Sequence, residues 1–348
     1  MAITPETPKP VTPPRRRLGP TGPEIHPLVL GTMNFGPHTP EPQAHRILST
    51  AVDLGLTLVD TANVYGWRPG GGWTEQIIGR WLRRNPGIHD RVLIATKVYR
   101  PLDDWPNSGG LSALSLRKSC ERSLRNLGVE TIDVLYLHHV DRTTPIEETL
   151  SALHSLRSLG LVRHFGYSNF AGWHLARAQE TARTLGIQGG VVEQCLYNAM
   201  VREAERDVLP ACASYRLGTL AWSPLNRGLL AGFTDAGPRR RDPRTATTHA
   251  RHRRALERFW AICAEAGAHP EQVALSWVIR RATGAVIGPR TEAQLLSAVA
   301  ALDLSADRAL TETVDNAIDT VFPAPRPWTL PLRNSTEPAW GRPIGGVR

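Results

Sequence analysis

Four titratable side chains, Asp60, Tyr65, Lys97 and His138, stand at or just beyond the ends of apolar runs, in the segments LTLVDTANVY, RVLIATK and IDVLYLH. Together they read as a proton donor. A phenol with a pKa near about 10 is too weak an acid at neutral pH, and a neighbouring ammonium lowers it by favouring phenolate. Lys97 supplies that ammonium, Asp60 holds it in place and charged, and His138 orients a substrate carbonyl or shares the proton. The chemistry expected is protonation of an oxygen as its carbon gains hydride. Lys97 stands out for a second reason: only Lys9, Lys97 and Lys118 are lysines among 41 basic residues. In a chain that otherwise uses Arg, a Lys marks a place where an amine is required, and of the three only Lys97 ends an apolar strand.

Such groups need a scaffold that brings several strand ends together. Eight short apolar or β-branched runs begin near residues 27, 56, 91, 132, 164, 189, 217 and 284. Most are apolar on both faces, as in parallel strands covered on each side. Helical patterns lie between them, at 41–55, 115–128 and 146–160. This alternation predicts a single (β/α)8 TIM barrel, whose catalytic groups sit at the C-terminal ends of its strands. A doubly wound sheet is the rival, but GTMNFGPH is not the GxGxxG that its first turn would carry. The expected boundaries are a disordered tail at 1–16, the barrel at 17–322 and a Pro-rich extension at 323–348. The interval between the seventh and eighth strands is about 67 residues long and is expected to hold a functional loop.

Composition narrows the class further. With 41% apolar and 21% charged residues and four scattered Cys in 348 residues, collagen-like, disulfide-dense and disordered readings are excluded. The cysteines show no zinc-site spacing, so no metal is expected. No run of 18 apolar residues occurs, and the N-terminus has six Pro in twenty residues, which predicts no membrane span, no signal peptide and a cytoplasmic location. The net charge of +9 comes from residues 1–20 and from 237–254, where seven Arg face one Asp. With no aromatic residues interleaved there, Arg239 to Arg241 and Arg251 to Arg254 read first as a solvated loop, and no nucleic-acid partner is expected.

The motifs also resemble a known family. LGTMNFG at 30–36, DTANVYG at 60–66, LIATKV at 93–98, LYLHHVD at 135–141, GYSNF at 166–170, EQCLYN at 193–198, WSPLNRGLL at 222–230 and GPRTEAQL at 288–295 occur in the order and spacing of the aldo-keto reductases. His138 rather than His139 takes the family position, five residues after Asp133 and three before Asp141. The resemblance implies an enzyme that binds NADP(H), uses the tetrad Asp60, Tyr65, Lys97 and His138, and acts on a small-molecule carbonyl. By motif, Gly31, Thr32 and Met33 would border the cofactor beside Asp60. Ser168, Asn169 and Gln194 would bind the carboxamide, and Trp222 would stack on the nicotinamide. Ser223, Pro224, Leu225, Gly228 and Leu230 would wrap the diphosphate, while Gly288, Arg290 and Gln294 would hold the adenosine end. Two departures are visible. Ala298 stands where related chains often have an Asn for adenine, which puts that contact in question. Tyr167 is larger than expected and would narrow the site.

TANVYGW, GWTEQIIGRWL, HHVDR, SNFAGWHLARAQE and GAVIGPRTEAQL further resemble nucleotide-hexose 2,3-enoyl reductases of deoxysugar pathways and related polyketide reductases. The substrate expected from this is a keto or enone group on a bulky secondary metabolite, such as an NDP-ketohexose in antibiotic biosynthesis. A cofactor-sensing regulatory subunit is the alternative of another class. Monomer and homo-oligomer both remain open.

Overall fold

A computed structural model describes residues 15–68, 70–232 and 242–325. A short antiparallel hairpin, β1 (Arg16–Arg17) and β2 (Glu24–Ile25), precedes eight parallel strands. These are β3 (Leu28–Gly31), β4 (Leu58–Asp60), β5 (Leu93–Val98), β6 (Ile132–Leu137), β7 (Val162–Ser168), β8 (Val192–Leu196), β9 (Gly218–Trp222) and β10 (Gly284–Ile287). They close into a barrel, with β10 pairing both β9 and β3. The protein is therefore the (β/α)8 barrel that the eight apolar runs predicted. Eleven α-helices are described: α1 (Glu41–Asp53), α2 (Trp73–Arg84), α3 (Ala113–Leu127), α4 (Ile146–Ser158), α5 (Gly172–Thr184), α6 (Val208–Ser214), α7 (Pro243–Glu265), α8 (Pro270–Arg281), α9 (Glu292–Val299), α10 (Ala301–Ala306) and α11 (Arg308–Val321). Among the described residues no helix is long and apolar enough to cross a membrane.

The strands are buried on both faces, and the side chains divide by parity. Val29, Leu58, Ala95, Val134, Tyr136, Val192 and Leu220 fill the barrel interior together with Leu18 and Ile25 of the hairpin. The hairpin thus closes the N-terminal end of the barrel. A Cβ on Gly218 would lie 3.0 Å from the Leu18 Cα, so a larger residue would push the hairpin backbone away from the barrel floor. Residues of opposite parity pack outward under the helices, and Tyr167 is one of them. Its hydroxyl accepts from the Gly190 N–H at 3.2 Å and its ring packs on Phe165 and Phe170. Tyr167 therefore does not narrow the site, because strand alternation points it away from the barrel axis.

Two further expectations change. β1 begins at Arg16, the last residue of the expected tail, because its guanidinium donates to the carbonyls of Ile279 and Ala282, the latter at 2.8 Å, at the C-terminal end of α8. Those carbonyls lack partners within their own helix, and a cation there is favourable. The basic segment 237–254 is not simply a loop. Residues 243–254 begin α7, capped by Asp242, whose carboxylate accepts from the Arg244 N–H at 2.8 Å, with Pro243 in its first turn. Its first turns bury little besides Thr245, and the helical period becomes apolar only at Leu256, Phe259 and Cys263. Arg251, Arg253 and Arg254 are exposed on this helix. Arg239 to Arg241 and residues 326–348 of the Pro-rich extension lie outside the described residues.

Candidate active site

The C-terminal ends of the barrel strands open into a cavity of about 630 Å³. Asp60 ends β4 and Lys97 lies near the end of β5, and both side chains are buried. The Lys97 ammonium donates to Asp60 Oδ2 at 2.5 Å, to the Thr61 carbonyl at 2.9 Å and to the Tyr65 hydroxyl at 3.4 Å. The last bond is long for a charge-assisted contact. The second Asp60 oxygen accepts from Gln194 Nε2 at 2.9 Å, and the Asp60 backbone carbonyl accepts from both the N–H and the hydroxyl of Thr32. His138 follows β6, with its ring centroid 6.2 Å from that of Tyr65 in an edge-to-face arrangement. Asp60, Tyr65 and His138 line the cavity, and Lys97 lies beneath them, reached through Tyr65.

The remaining predicted residues divide clearly. Gly31, Thr32, Met33, Ser168, Asn169, Gln194, Trp222, Ser223, Pro224, Leu225, Gly228, Gly288, Arg290 and Gln294 line the same cavity. Leu230 does not. Its side chain is fully buried in the core and its N–H donates to the Leu225 carbonyl at 3.2 Å, so it closes the turn instead of facing a ligand. Asn169 has a left-handed backbone (φ 63°) and donates to the His138 carbonyl at 3.0 Å. Its carbonyl oxygen accepts from Trp222 Nε1 at 3.1 Å, which fixes the edge of the indole and with it the plane of the ring. The turn after β9 places Ser223, Asn226, Arg227 and Gly228 at positive φ, a conformation in which successive backbone dipoles can converge on an anion.

This lining fits a dinucleotide. A Cβ on Gly31, the last residue of β3, would fall 2.8 Å from Val286 Cγ1 on the neighbouring β10, so the strand end at the cavity rim carries no side chain. An indole held by its edge, a turn of left-handed residues and the guanidinium of Arg290 follow one another round the cavity. The aldo/keto reductase family profile matches residues 27–319. The chain belongs to the aldo-keto reductase family.

It is similar to a protein named as the uncharacterized oxidoreductase YrpG of Bacillus subtilis, 41% identical over 88% of this chain and 95% of that one. Norsolorinic acid reductase B of Aspergillus parasiticus is 32% identical, covering 95% of this chain and 90% of the relative. A protein named as a probable voltage-gated potassium channel subunit beta, from Oryza sativa subsp. japonica, is 28% identical over 83% and 91%. As an aldo-keto reductase the chain is an oxidoreductase, and members of this family generally use NAD(P)H.

The electrostatics of this cavity bear on two expectations. Burial pushes the Tyr65 phenol above its ordinary value; Lys97 pulls it down and Asp60 pushes it up again. With its ammonium already paired, Lys97 presents the phenol with a dipole as much as a cation. Tyr65 is therefore held as a protonated donor. Burial, reinforced by Lys97, His139 and Arg100, pushes His138 down to about 2. A neutral imidazole can orient a carbonyl but carries no extra proton to release as an acid near neutral pH.

That depression links stability to pH. The folded pKa of His138 lies below its unfolded value, so the unfolded chain binds more protons between the two, and stability falls as pH drops below about 6.5. His26, pushed down to about 4 chiefly by burial, acts in the same direction. Urea denaturation should show lower stability at pH 5 than at pH 7.5, with a smaller difference in His138→Gln.

Sequence reasoning missed Asn198. Its amide donates to the Ser223 carbonyl at 3.0 Å, and its oxygen accepts from the N–H groups of Met200 and Val201, so it ties the turn after β8 to the turn after β9. Asn34 was missed as well, although its amide donates to the Gly288 carbonyl at 2.7 Å. The signal for each was present as the closing Asn of EQCLYN and the Asn of LGTMNFG.

Proposed function

We propose that this aldo-keto reductase uses NADPH to reduce a keto or enone group of a bulky secondary-metabolite intermediate, with an NDP-ketohexose as the first class to test. The observation that carries the reductase reading is the Tyr65 hydroxyl bonded to the buried Lys97–Asp60 pair, facing an open cavity with the His138 ring beside it. A nicotinamide held there would be the source of the hydride. The chain supplies the rest. Trp222, Asn169, Ser168 and Gln194 orient the ring, His138 orients the substrate oxygen, and Tyr65 delivers a proton to that oxygen as negative charge develops on it. Lys97 holds the phenol in place and stabilises its anion once the proton has left, while Asp60 keeps the Lys97 ammonium charged and positioned. The sequence phrases shared with nucleotide-hexose reductases and the relative named as norsolorinic acid reductase B support a bulky substrate. Purified protein, NADPH and a panel of nucleotide ketosugars and polyketide ketones test it by cofactor oxidation. Oxidation with no carbonyl of the panel would favour the cofactor-sensing alternative.

The preference for NADPH rests on Arg290. Its guanidinium lines the cavity and has no carboxylate partner among the described residues. Charge-assisted bonds to a 2′-phosphate contribute roughly 1.5 to 3 kcal/mol, which a ribose hydroxyl does not replace. Arg290→Ala should raise KM for NADPH by about 10- to 100-fold and KM for NADH far less, measured by steady-state kinetics with one carbonyl. Equal losses would place Arg290 outside phosphate recognition.

A further inference from the structure

The tetrad end of the cavity has a charge that the reduction itself does not use. We propose that Arg100, His139 and Trp67 form an anion-recognition subsite that selects ring-bearing carbonyl substrates carrying a carboxylate or phosphate close to the reacting carbon. The inference rests on the reductase reading above and names the substrate chemistry of the same site.

Arg100 follows Lys97 by three residues, so at most about 10 Å of backbone separates it from the tetrad amine. It lines the cavity, is exposed, and has no carboxylate partner among the described residues. The carboxylates that line the cavity are engaged elsewhere. Asp60 holds Lys97, Asp242 lies 3.7 Å from Arg227, and Glu271 accepts from the Ser297 hydroxyl. His139 stacks on His138 with ring centroids 4.9 Å apart and 11° between planes, and Tyr99 meets His139 edge-on at 5.4 Å. Burial and then Arg100 push His139 below its ordinary value, so it is a neutral hydrogen-bonding group beside a permanent cation.

The third member is an aromatic ring at the cavity mouth. Trp67 is 60% exposed and has a left-handed backbone (φ 55°), both unusual for so large a side chain. Its loop is set by Gly66, at φ 101°, where a Cβ would lie 2.6 Å from the Trp73 Cβ. The next residue, Arg68, stacks 3.2 Å over the Trp73 ring, which anchors the loop without covering the Trp67 indole. The indole lies 6.4 Å from the Tyr65 ring, centroid to centroid. An exposed indole, a guanidinium fork and a neutral imidazole around one reacting position suit a ring with an attached anion. A sugar phosphate and a carboxylated aromatic ketone share this chemistry.

Binding to the full chain saturated with NADPH tests the subsite apart from turnover, with benzoate, phenyl phosphate and benzamide as probes in calorimetry. The two anions should bind about 10- to 100-fold more tightly than benzamide, with an advantage that shrinks as salt is added. Arg100→Met should erase that advantage and Arg100→Lys should restore part of it, whereas Trp67→Ala should weaken all three probes. Tighter binding of phenyl phosphate than of benzoate assigns the anion to a phosphoester, and the reverse order to a carboxylate. Equal affinity for benzamide, or an unchanged advantage in Arg100→Met, overturns the proposal. In parallel, kcat/KM for 4-carboxybenzaldehyde relative to 4-nitrobenzaldehyde should fall by about 10-fold or more in Arg100→Met. If the wild-type protein reduces neither aldehyde, the reductase reading fails while the binding ratios still decide the subsite.

Discussion

Tyr65→Phe should lower kcat by about 10²- to 10⁴-fold, the range that a positioned general acid contributes, and leave the Kd for NADPH nearly unchanged. The substitution removes one hydroxyl and keeps the ring. The edge-to-face contact with His138 and the ring contact with Trp67 therefore survive. The hydroxyl's hydrogen bond within the protein is the long one from Lys97, which retains Asp60 and the Thr61 carbonyl. Little else should move. Stopped-flow measurement of hydride transfer and fluorescence titration of NADPH separate the two effects. A variant with wild-type kcat would remove Tyr65 from its role, and His138 could not replace it as the proton source because it is uncharged near neutral pH.

Lys97→Met should be the most damaging change to stability and should also suppress turnover. Lys97 and Asp60 are both almost fully buried and meet at 2.5 Å. Breaking such a pair strands a carboxylate with Gln194 as its remaining side-chain donor, and removal of one buried partner typically costs about 3–5 kcal/mol. The net pair is worth much less than its breakage, because both ions lost their hydration on folding. Lys97→Met combined with Asp60→Asn should therefore recover most of the stability and none of the activity. Urea denaturation beside kcat for both variants checks this. Recovery of turnover in the double variant would reduce the pair to a packing element.

The barrel was legible because parallel strands covered on both faces leave continuous apolar runs, and eight of them recur between helical patterns. The cluster of Asp60, Tyr65, Lys97 and His138 was legible because each member follows such a run at the C-terminal rim of the barrel. Other features depend on relations that the chain does not write locally. Whether Lys97 makes Tyr65 more acidic depends on how far Asp60 neutralises it and on how deeply the phenol is enclosed. Tyr167 looked like a wall of the site, although its neighbours Gly166 and Ser168 carry the opposite parity and the alternation alone could have turned it outward. The start of α7 was hidden because its arginines face solvent and its apolar stripe begins only three turns later. Arg16 read as tail charge, since its acceptors lie more than about 260 residues away, at the end of α8.

The pairing that closes the barrel has a consequence for synthesis. β3 hydrogen-bonds on one side to β4, which emerges from the ribosome soon after it, and on the other to β10, about 250 residues later. At translation rates of about 5–20 residues per second, the free edge of β3 waits roughly 10–50 seconds for its partner. Throughout that interval an apolar strand edge is available for pairing with other chains, and the hairpin that plugs the barrel floor has no finished barrel to plug. The nascent chain is thus most exposed to misassembly just before β10 appears. Truncations that end within α8 should aggregate, whereas the full-length chain closes its own seam.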